Sequence, residues 1–291
     1  TFPCIISSVR DFAEYIDLDI GMFDLIIIDE ASQVSIAQAF PAIIRARKIL
    51  VLGDKKQFSN LQSYQATSIK NNALLNNLRK VFKNNISKDP VQLERLESFN
   101  VKTSILDFFE RIANYAAMLK KHFRGYPEHI AYCSKTFYGN DLQAIRLRSK
   151  SIKDIIHFEI LDYEIDKEVG NTNDQEAKYI IKQLEKLKES GAETTVGIIT
   201  PFSDQQKNLT TLITKHKDKE YFFEKLHLKI MTFDTCQGEE REIIYYSMVA
   251  TKNIDKLNWI FPTDLSRTDL EELGDKKAQR LNVGLSRVQE K

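Results

Sequence analysis

Phe23-Asp24-Leu25-Ile26-Ile27-Ile28-Asp29-Glu30-Ala31-Ser32-Gln33, residues 23–33, is the stretch on which the fold turns. Asp24 aside, its first half is apolar on both faces, as a strand inside a covered parallel sheet reads. The run stops at two adjacent carboxylates, Asp29 and Glu30. Residues 48–53, KILVLG, have the same character and lead into Gly53-Asp54. Between the two, Ser35 to Ile44 has helical spacing, with Pro41 as a possible break. Strand, helix, strand at this separation is a βαβ unit. In such sheets, ligands sit at the carboxyl ends of the strands.

The remainder follows from that unit outward. Residues 61–102 are rich in Asn, Gln, Ser and Lys, with a weak apolar stripe at Leu74, Leu75, Leu78 and Phe82. They are expected to form a helical insertion ending in a polar linker near Pro90. From Ser104, the residues Ile105, Leu106, Phe109, Ile112, Ala113 and Ala116 recur at helical spacing, and Ser104 with Asp107 forms a capping pattern. A second α/β region follows. Strands are expected at 117–123, 155–161, 195–200, 228–233 and 242–250, and helices at 126–137, 174–189, 203–215 and 276–288. Alternation of this kind points to a second, mostly parallel sheet. Residues 251–275 are polar and acidic and read as an excursion before the last helix.

Composition sets the outer bounds. Lys plus Arg number 42 against 41 Asp plus Glu, a formal charge of +1, so no global positive field marks a nucleic-acid binder. A protein gripping a strand in a cleft needs only local positive charge. Cys4, Cys133 and Cys236 are far apart and form no CxxC pair, which argues against a zinc site and against a disulfide framework. They suit a reducing compartment, cytoplasmic or, in a eukaryote, nuclear. No apolar run reaches the ~20 residues of a membrane span. Thr1 is not an initiator Met and no signal segment follows it, so the expected reading is a piece of a longer chain.

Chemistry concentrates where strands end. Phosphoryl transfer needs one carboxylate near Mg²⁺ and another group to orient or deprotonate water. Asp29 is assigned to the metal through a coordinated water, and Glu30 to the attacking water. Gly53 gives the backbone a sharp turn, and Gln57, which both donates and accepts, can sense a γ-phosphate and a water together. Alone, each motif also fits an ordinary loop; on consecutive strands the two together favour a nucleotide site. Small hydroxyls expected just after strands suit phosphate contacts that ignore base sequence. They are Ser7 and Ser8 after Ile5-Ile6, Thr200 with Pro201 after Ile198-Ile199, and Thr232 after Ile230-Met231. Two basic clusters, Arg45, Arg47 and Lys48, and Arg146, Arg148, Lys150 and Lys153, could track a strand electrostatically, or be solvated faces.

DEASQ followed by GDKKQ resembles motifs II and III of superfamily 1 helicases, and the downstream sequence extends the resemblance. LKKHFRGYPEHI (119–130), VGIITPFSDQQKNL (196–209), KIMTFDTCQGEERE (229–242) and RLNVGLSRVQ (280–289) are similar to that family's later motifs. Within the superfamily the likeness is to the group containing the nonsense-mediated-decay RNA helicase and bacterial helicase–nucleases. It implies two RecA-like parallel-sheet domains, the first one incomplete, with a helical insertion. Residues 1–60 would be the later half of the first domain, 61–118 the insertion and linker, and 119–291 the second domain. It also implies ATP and Mg²⁺, a helicase ATPase moving 5′-to-3′ on single-stranded DNA or RNA, and, by role, a phosphate-sensing Arg124 and an arginine finger at Arg287. Gln237, Gly238 and Glu240 would lie near the nucleotide, with Glu240 on the ribose or coupling it to its own motif. Acids on one domain and arginines on the other would make ATP the glue between them.

Some residues depart from the family pattern. Lys55 stands where Pro is usual, Phe58 where Leu is usual, and Gly125-Tyr126 where Met-His is usual. The ten glycines contain no GxxxxGK[ST] loop; the resemblance places that loop upstream, so this piece alone is expected to hydrolyse ATP negligibly. The insertion could serve a protein partner, and a monomer is favoured. The rival readings are a catalytically silent helicase-like scaffold and a different phosphate-loop protein. A nuclease is disfavoured, because no acid–acid–lysine constellation is evident.

Overall fold

Three consecutive isoleucines, Ile26–Ile28, form β1, which pairs in parallel with β2, Ile49–Val51, so that Ile27 lies opposite Leu50. Helix α2, Ile36–Ile44, joins them. A capping box starts it: the Ser35 hydroxyl accepts from the Gln38 N–H at 3.3 Å, and Gln38 Oε1 accepts from the Ser35 N–H at 3.0 Å. Pro41 does not break this helix, which runs through it. Helix α1, Val9–Tyr15, precedes the sheet. Helix α4, Ile105–Ile112, packs on α2 and β2, burying Ile105 with Ile28, Ala31, Ile36 and Ala39. Ser104 caps α4 as expected, accepting from the Asp107 N–H at 3.1 Å. The helix ends at Ile112, short of Ala116, because Ala113 turns to extended backbone.

A computed structural model describes residues 4–57, 68–86, 88–92, 103–147, 151–161, 170–249, 254–262 and 276–291. The chain divides into two units, Thr1–Met118 and Leu119–Lys291. Between α2 and α4 lies α3, Ser68–Asn85, on which Leu74 and Leu78 of the expected apolar stripe are exposed. Residues 61–67 and 93–102 lie outside the described ones, as do Arg148, Lys150 and residues 263–275.

In the second unit, β3 (Lys121–His122) pairs in parallel with β4 (Gln143–Ala144) across α5 (Pro127–Phe137). The larger sheet has the order β6-β5-β7, all parallel, from Val196–Thr200 (β5), Lys229–Thr232 (β6) and Ile243–Tyr246 (β7). Every residue of β5 is buried, the signature of a central strand. Helix α7, Asp174–Glu189, and helix α8, Ser203–Thr214, bring Ala177, Ile180, Leu184, Leu209 and Ile213 onto it. Helix α9, Lys219–Glu224, adds Phe222. Among the described residues, the second region therefore has two parallel sheets, where one was expected.

Two further expectations are corrected. Residues 155–161 are not a strand. Helix α6, Ile152–Ile155, takes the first of them, and the rest have no strand partner among the described residues, with Phe158 88% and Ile160 91% exposed. Apolar and β-branched residues do not make a strand without a neighbouring ladder to satisfy their backbone. The last helix, α10, Lys276–Leu285, ends before residue 288. The chain then returns to the sheet, where Val288 bridges Arg241 in parallel and the Gln289 N–H donates to the Arg241 carbonyl at 2.9 Å. That return brings the tail of RLNVGLSRVQ beside the end of KIMTFDTCQGEERE.

The close packing of α10 is testable. A Cβ at Gly284 would stand 2.1 Å from Phe233 Cδ1. Phe233 is buried, with the Phe261 ring 4.9 Å away edge-on. Gly284→Ala should destabilise by about 1–3 kcal/mol, lowering the melting temperature by several degrees. Gly170→Ala, whose Cβ meets nothing within 4 Å, is the control. Equal melting curves would show that Phe233 yields freely.

Candidate functional site

The carboxyl edge of β1 and β2 carries the first group of residues. Asp29 leaves β1, and its Oδ1 accepts from the Glu30 N–H at 2.9 Å. Glu30 has φ +50°, a left-handed conformation uncommon for a residue with a Cβ and concentrated at functional positions. Its Oε2 accepts from Gln33 Nε2 at 3.0 Å. Both acids are exposed. The Ala31 N–H donates to the Leu52 carbonyl at 2.9 Å, so the acidic loop is pinned to the strand that delivers Gly53. A Cβ on Gly53 would lie 3.1 Å from the Ser32 nitrogen and 3.2 Å from the Ala31 nitrogen. Its φ lies outside the left-handed range. Glycine is there for the close approach of the two loops, which corrects the sharp-turn reading. Asp54 folds the second loop, accepting the Lys56 N–H at 2.8 Å and Gln57 Nε2 at 3.0 Å. Asp29, Glu30, Gly53, Asp54 and Gln57 therefore share one edge. Lys55, at the position where the family pattern has Pro, pairs with Asp107 and Glu110 of α4.

The serines Ser7 and Ser8 are placed otherwise than expected. No strand precedes them among the described residues. Ser8 is the N-cap of α1, accepting the Asp11 N–H at 3.1 Å and donating to the Asp11 carboxylate at 2.7 Å. Local side-chain bonding of this kind is what a serine ahead of a helix does by default. In the first basic cluster Arg45 turns inward, whereas Arg47 and Lys48 are exposed. Arg45 is 3% exposed and donates to three carbonyls, of Pro41 at 2.6 Å, Ile16 at 2.7 Å and Asp17 at 2.8 Å. Arg47 pairs with Asp24 at 3.1 Å.

In the second unit, Arg124 follows β3 and forms an ion pair with Glu240. Its Nη1 also donates to the Ser286 carbonyl at 3.2 Å. The other Glu240 oxygen accepts from Gln289 Nε2 at 2.9 Å. The Arg124 hydrogen bond, with help from Gln289 and against some burial, holds the Glu240 carboxyl below its ordinary range. Burial, then the Arg124 charge, lowers His122. Arg287 is 3% exposed; its Nε donates to the Val283 carbonyl at 2.8 Å and its Nη2 to the Ser286 hydroxyl at 2.9 Å. Gly238, exposed at φ +78°, makes a turn that favours glycine, and Gln237 beside it is half-buried. Residues from three separated motifs, Arg124, Glu240 and Ser286–Gln289, thus meet in one place.

At the carboxyl ends of the larger sheet, Thr200 lies opposite Thr232. The Thr200 hydroxyl is fully buried with no hydrogen-bond partner among the described residues, and Pro201 after it is buried too. Thr232 Oγ1 lies 3.1 Å from the Thr235 hydroxyl. Beside them is a buried polar network that sequence reasoning missed. Gln205 Oε1 accepts the Asn173 N–H at 2.8 Å, and its Nε2 donates to Ser247 at 2.9 Å. Ser247 in turn donates to Glu176 at 2.8 Å. No local pattern announces it, since its members are 42 and 71 positions apart. Arg146, Gln289 and Glu290 were likewise missed as structural groups. Burial pushes the thiols of Cys133 and Cys236 up to about 12, which disfavours the nucleophilic thiolate at neutral pH. No helix among the described residues is long and apolar enough to cross a membrane.

A family model described as an AAA domain matches residues 101–291, and the chain belongs to that family. Its relatives are helicases. A protein of Mycoplasma genitalium described as the uncharacterized ATP-dependent helicase MG140 is 24% identical over 306 residues, covering 100% of this chain and 24% of the relative. Helicase sen1 of Schizosaccharomyces pombe is 23% identical over 282 residues, 91% of this chain and 14% of sen1. The probable helicase MAGATAMA 3 of Arabidopsis thaliana is 24% identical over 288 residues, 91% of this chain and 29% of that protein. The chain spans about a quarter of the length of the Mycoplasma relatives. Family and relatives together place it with superfamily 1 helicases of the Sen1-like group.

The Glu240 clamp sets a pH dependence. Pairing draws Glu240 below the ordinary carboxylate value of 4.5, so its stabilisation is whole above that pH and is lost as acid titrates it through the lower folded value. Glu242, held by Thr194 and Thr195, acts in the same direction. Thermal melting between about pH 7 and about pH 3 should show a falling melting temperature on the acid side. Glu240→Gln should lower stability at neutral pH and flatten part of that acid fall. A profile parallel to wild type would mean that Glu240 contributes none of it.

Proposed function

We propose that this chain is part of the motor of an ATP-dependent superfamily 1 helicase that couples ATP hydrolysis to movement along single-stranded DNA or RNA, in the 5′-to-3′ direction. The observation that carries the proposal is the grouping of the motif residues. Asp29, Glu30, Gly53, Asp54 and Gln57 interlock at one sheet edge. Arg124, Glu240 and the Ser286–Gln289 stretch cluster in the second unit.

The roles follow from the chemistry. Mg²⁺ would neutralise phosphate charge, and exposed carboxylate oxygens at Asp29 are the hard donors that ion takes. Glu30, held in a left-handed conformation, orients and deprotonates the attacking water. Gln57 reads the γ-phosphate through its amide. Arg124 and Arg287 stabilise charge on the transferred group, which requires each to leave its present carboxylate or carbonyl partner. Gln237, Gly238 and Glu240 border the nucleotide. Thr200, Pro201 and Thr232, at the ends of β5 and β6, contact the nucleic-acid backbone. Ser7 contributes there through its exposed position, and Ser8 only if it gives up Asp11. In this reading residues 1–60 and 119–291 belong to two RecA-like domains, 61–118 forms insertion and linker, and a protein partner docks on the insertion. The protein acts as a monomer in the cytoplasm, or in the nucleus of a eukaryote.

The sequence holds no GxxxxGK[ST] loop, so the 291 residues alone should hydrolyse ATP negligibly. Joined to a segment that supplies such a loop, the protein should show ATPase stimulated by single strands. Glu30→Gln should then lower kcat by roughly 10²–10⁴-fold while ATP still binds. Stimulated turnover that survives this substitution would remove Glu30 from the mechanism. No turnover at all in the joined protein would favour the silent scaffold.

A further inference from the structure

We propose that Arg146 is a positioning residue that ties together the two backbone segments holding the Glu240 clamp. This rests on the reading of Arg124 as phosphate-facing given above. Arg146 lies just beyond β4, in a stretch whose charges read, from sequence, as an outward basic patch. Instead its Nη1 donates to the Arg124 carbonyl at 3.2 Å and to the Gln289 carbonyl at 3.1 Å. Its Nη2 pairs with the Glu290 carboxylate. The guanidinium carbon stands 4.6 Å from the centre of the buried Tyr126 ring, and the Tyr126 hydroxyl donates to Glu290 Oε2 at 2.9 Å.

The two carbonyls matter because of what they belong to. Arg124 and Gln289 are the residues whose side chains grip opposite oxygens of Glu240. One planar fork thus fixes the backbone at both ends of that clamp. The approach is tight: a Cβ on Gly125 would stand 2.9 Å from the Val288 carbonyl. A guanidinium delivers several donors in a fixed plane and stacks on a ring, whereas an ammonium is a point charge on a flexible stem. Lysine at 146 would keep the charge and lose the simultaneous reach to two carbonyls, a carboxylate and a ring. Arg146 touches no phosphate in this role; it sets where Arg124 can point.

The test uses the complete polypeptide that carries this chain. Single-strand-stimulated ATPase is measured for Arg146→Lys, Glu290→Gln and Arg124→Lys, with hydrogen exchange followed at residues 286–291. Arg146→Lys should lower kcat about tenfold, leave the KM for nucleic acid unchanged, and speed exchange at the Gln289 and Glu290 amides about tenfold. Glu290→Gln, which keeps the shape and removes the charge, should move both readouts the same way by less, and it carries the test if Arg146→Lys fails to fold. Faster exchange with wild-type kcat would reduce Arg146 to a packing residue and overturn the proposal. So would wild-type values in both readouts while Arg124→Lys is slow. Wild-type turnover in Arg124→Lys would instead bring down the phosphate-facing reading, and this proposal with it.

Discussion

The carboxylate of Glu240 is the joint on which the second unit's site depends. One oxygen takes the Arg124 guanidinium, the other the Gln289 amide, and 116 residues of chain separate Glu240 from Arg124. A half-buried carboxylate has lost part of its hydration, and an ion pair on one side with a neutral donor on the other offsets that loss. The arrangement is directional. It fixes Arg124 against the Ser286 carbonyl and keeps the end of α10 at the end of the β7 sheet. Exchange of this partner for a phosphate is chemically simple, since a guanidinium fork fits either anion.

The first unit adds close backbone approach to its ion pairs. Glycine at position 53 lets the loops after β1 and β2 approach closely, since a Cβ there would stand 3.1–3.2 Å from the Ser32 and Ala31 nitrogens. The left-handed Glu30 follows from that crowding: the Ala31 N–H is already committed to Leu52, so the chain must turn within one residue of the strand. Strain of this sort persists where neighbouring contacts over-determine it. Here the result is two adjacent, exposed carboxylates at the sheet edge.

Several charged residues turned out to work inward. Arg45 closes α2 by binding carbonyls from two elements, and Arg146 does the same for the segments around Glu240. A neutral chain with a formal charge of +1 uses part of its basic complement as backbone clamps, and a net charge cannot reveal that. The Asn173–Glu176–Gln205–Ser247 network does similar service beneath Thr200, satisfying polar groups that the sheet's end would otherwise leave bare.

What was legible in the sequence was whatever is local. Runs such as Ile26–Ile28 and Val196–Thr200 announce buried parallel strands because both faces are apolar. The helix Asp174–Glu189 could be read from its period, and the caps at Ser35 and Ser104 involve residues three apart. The motifs at strand ends were recognisable for the same reason. What only tertiary structure decided was pairing: that 155–161 has no strand partner among the described residues, that β3 joins β4 apart from the larger sheet, that Ser8 caps a helix, and that Arg146 and Gln289 serve Glu240. Propensity and spacing act over one or two turns of chain, whereas a hydrogen bond across 144 residues exists only once the core has brought its ends together.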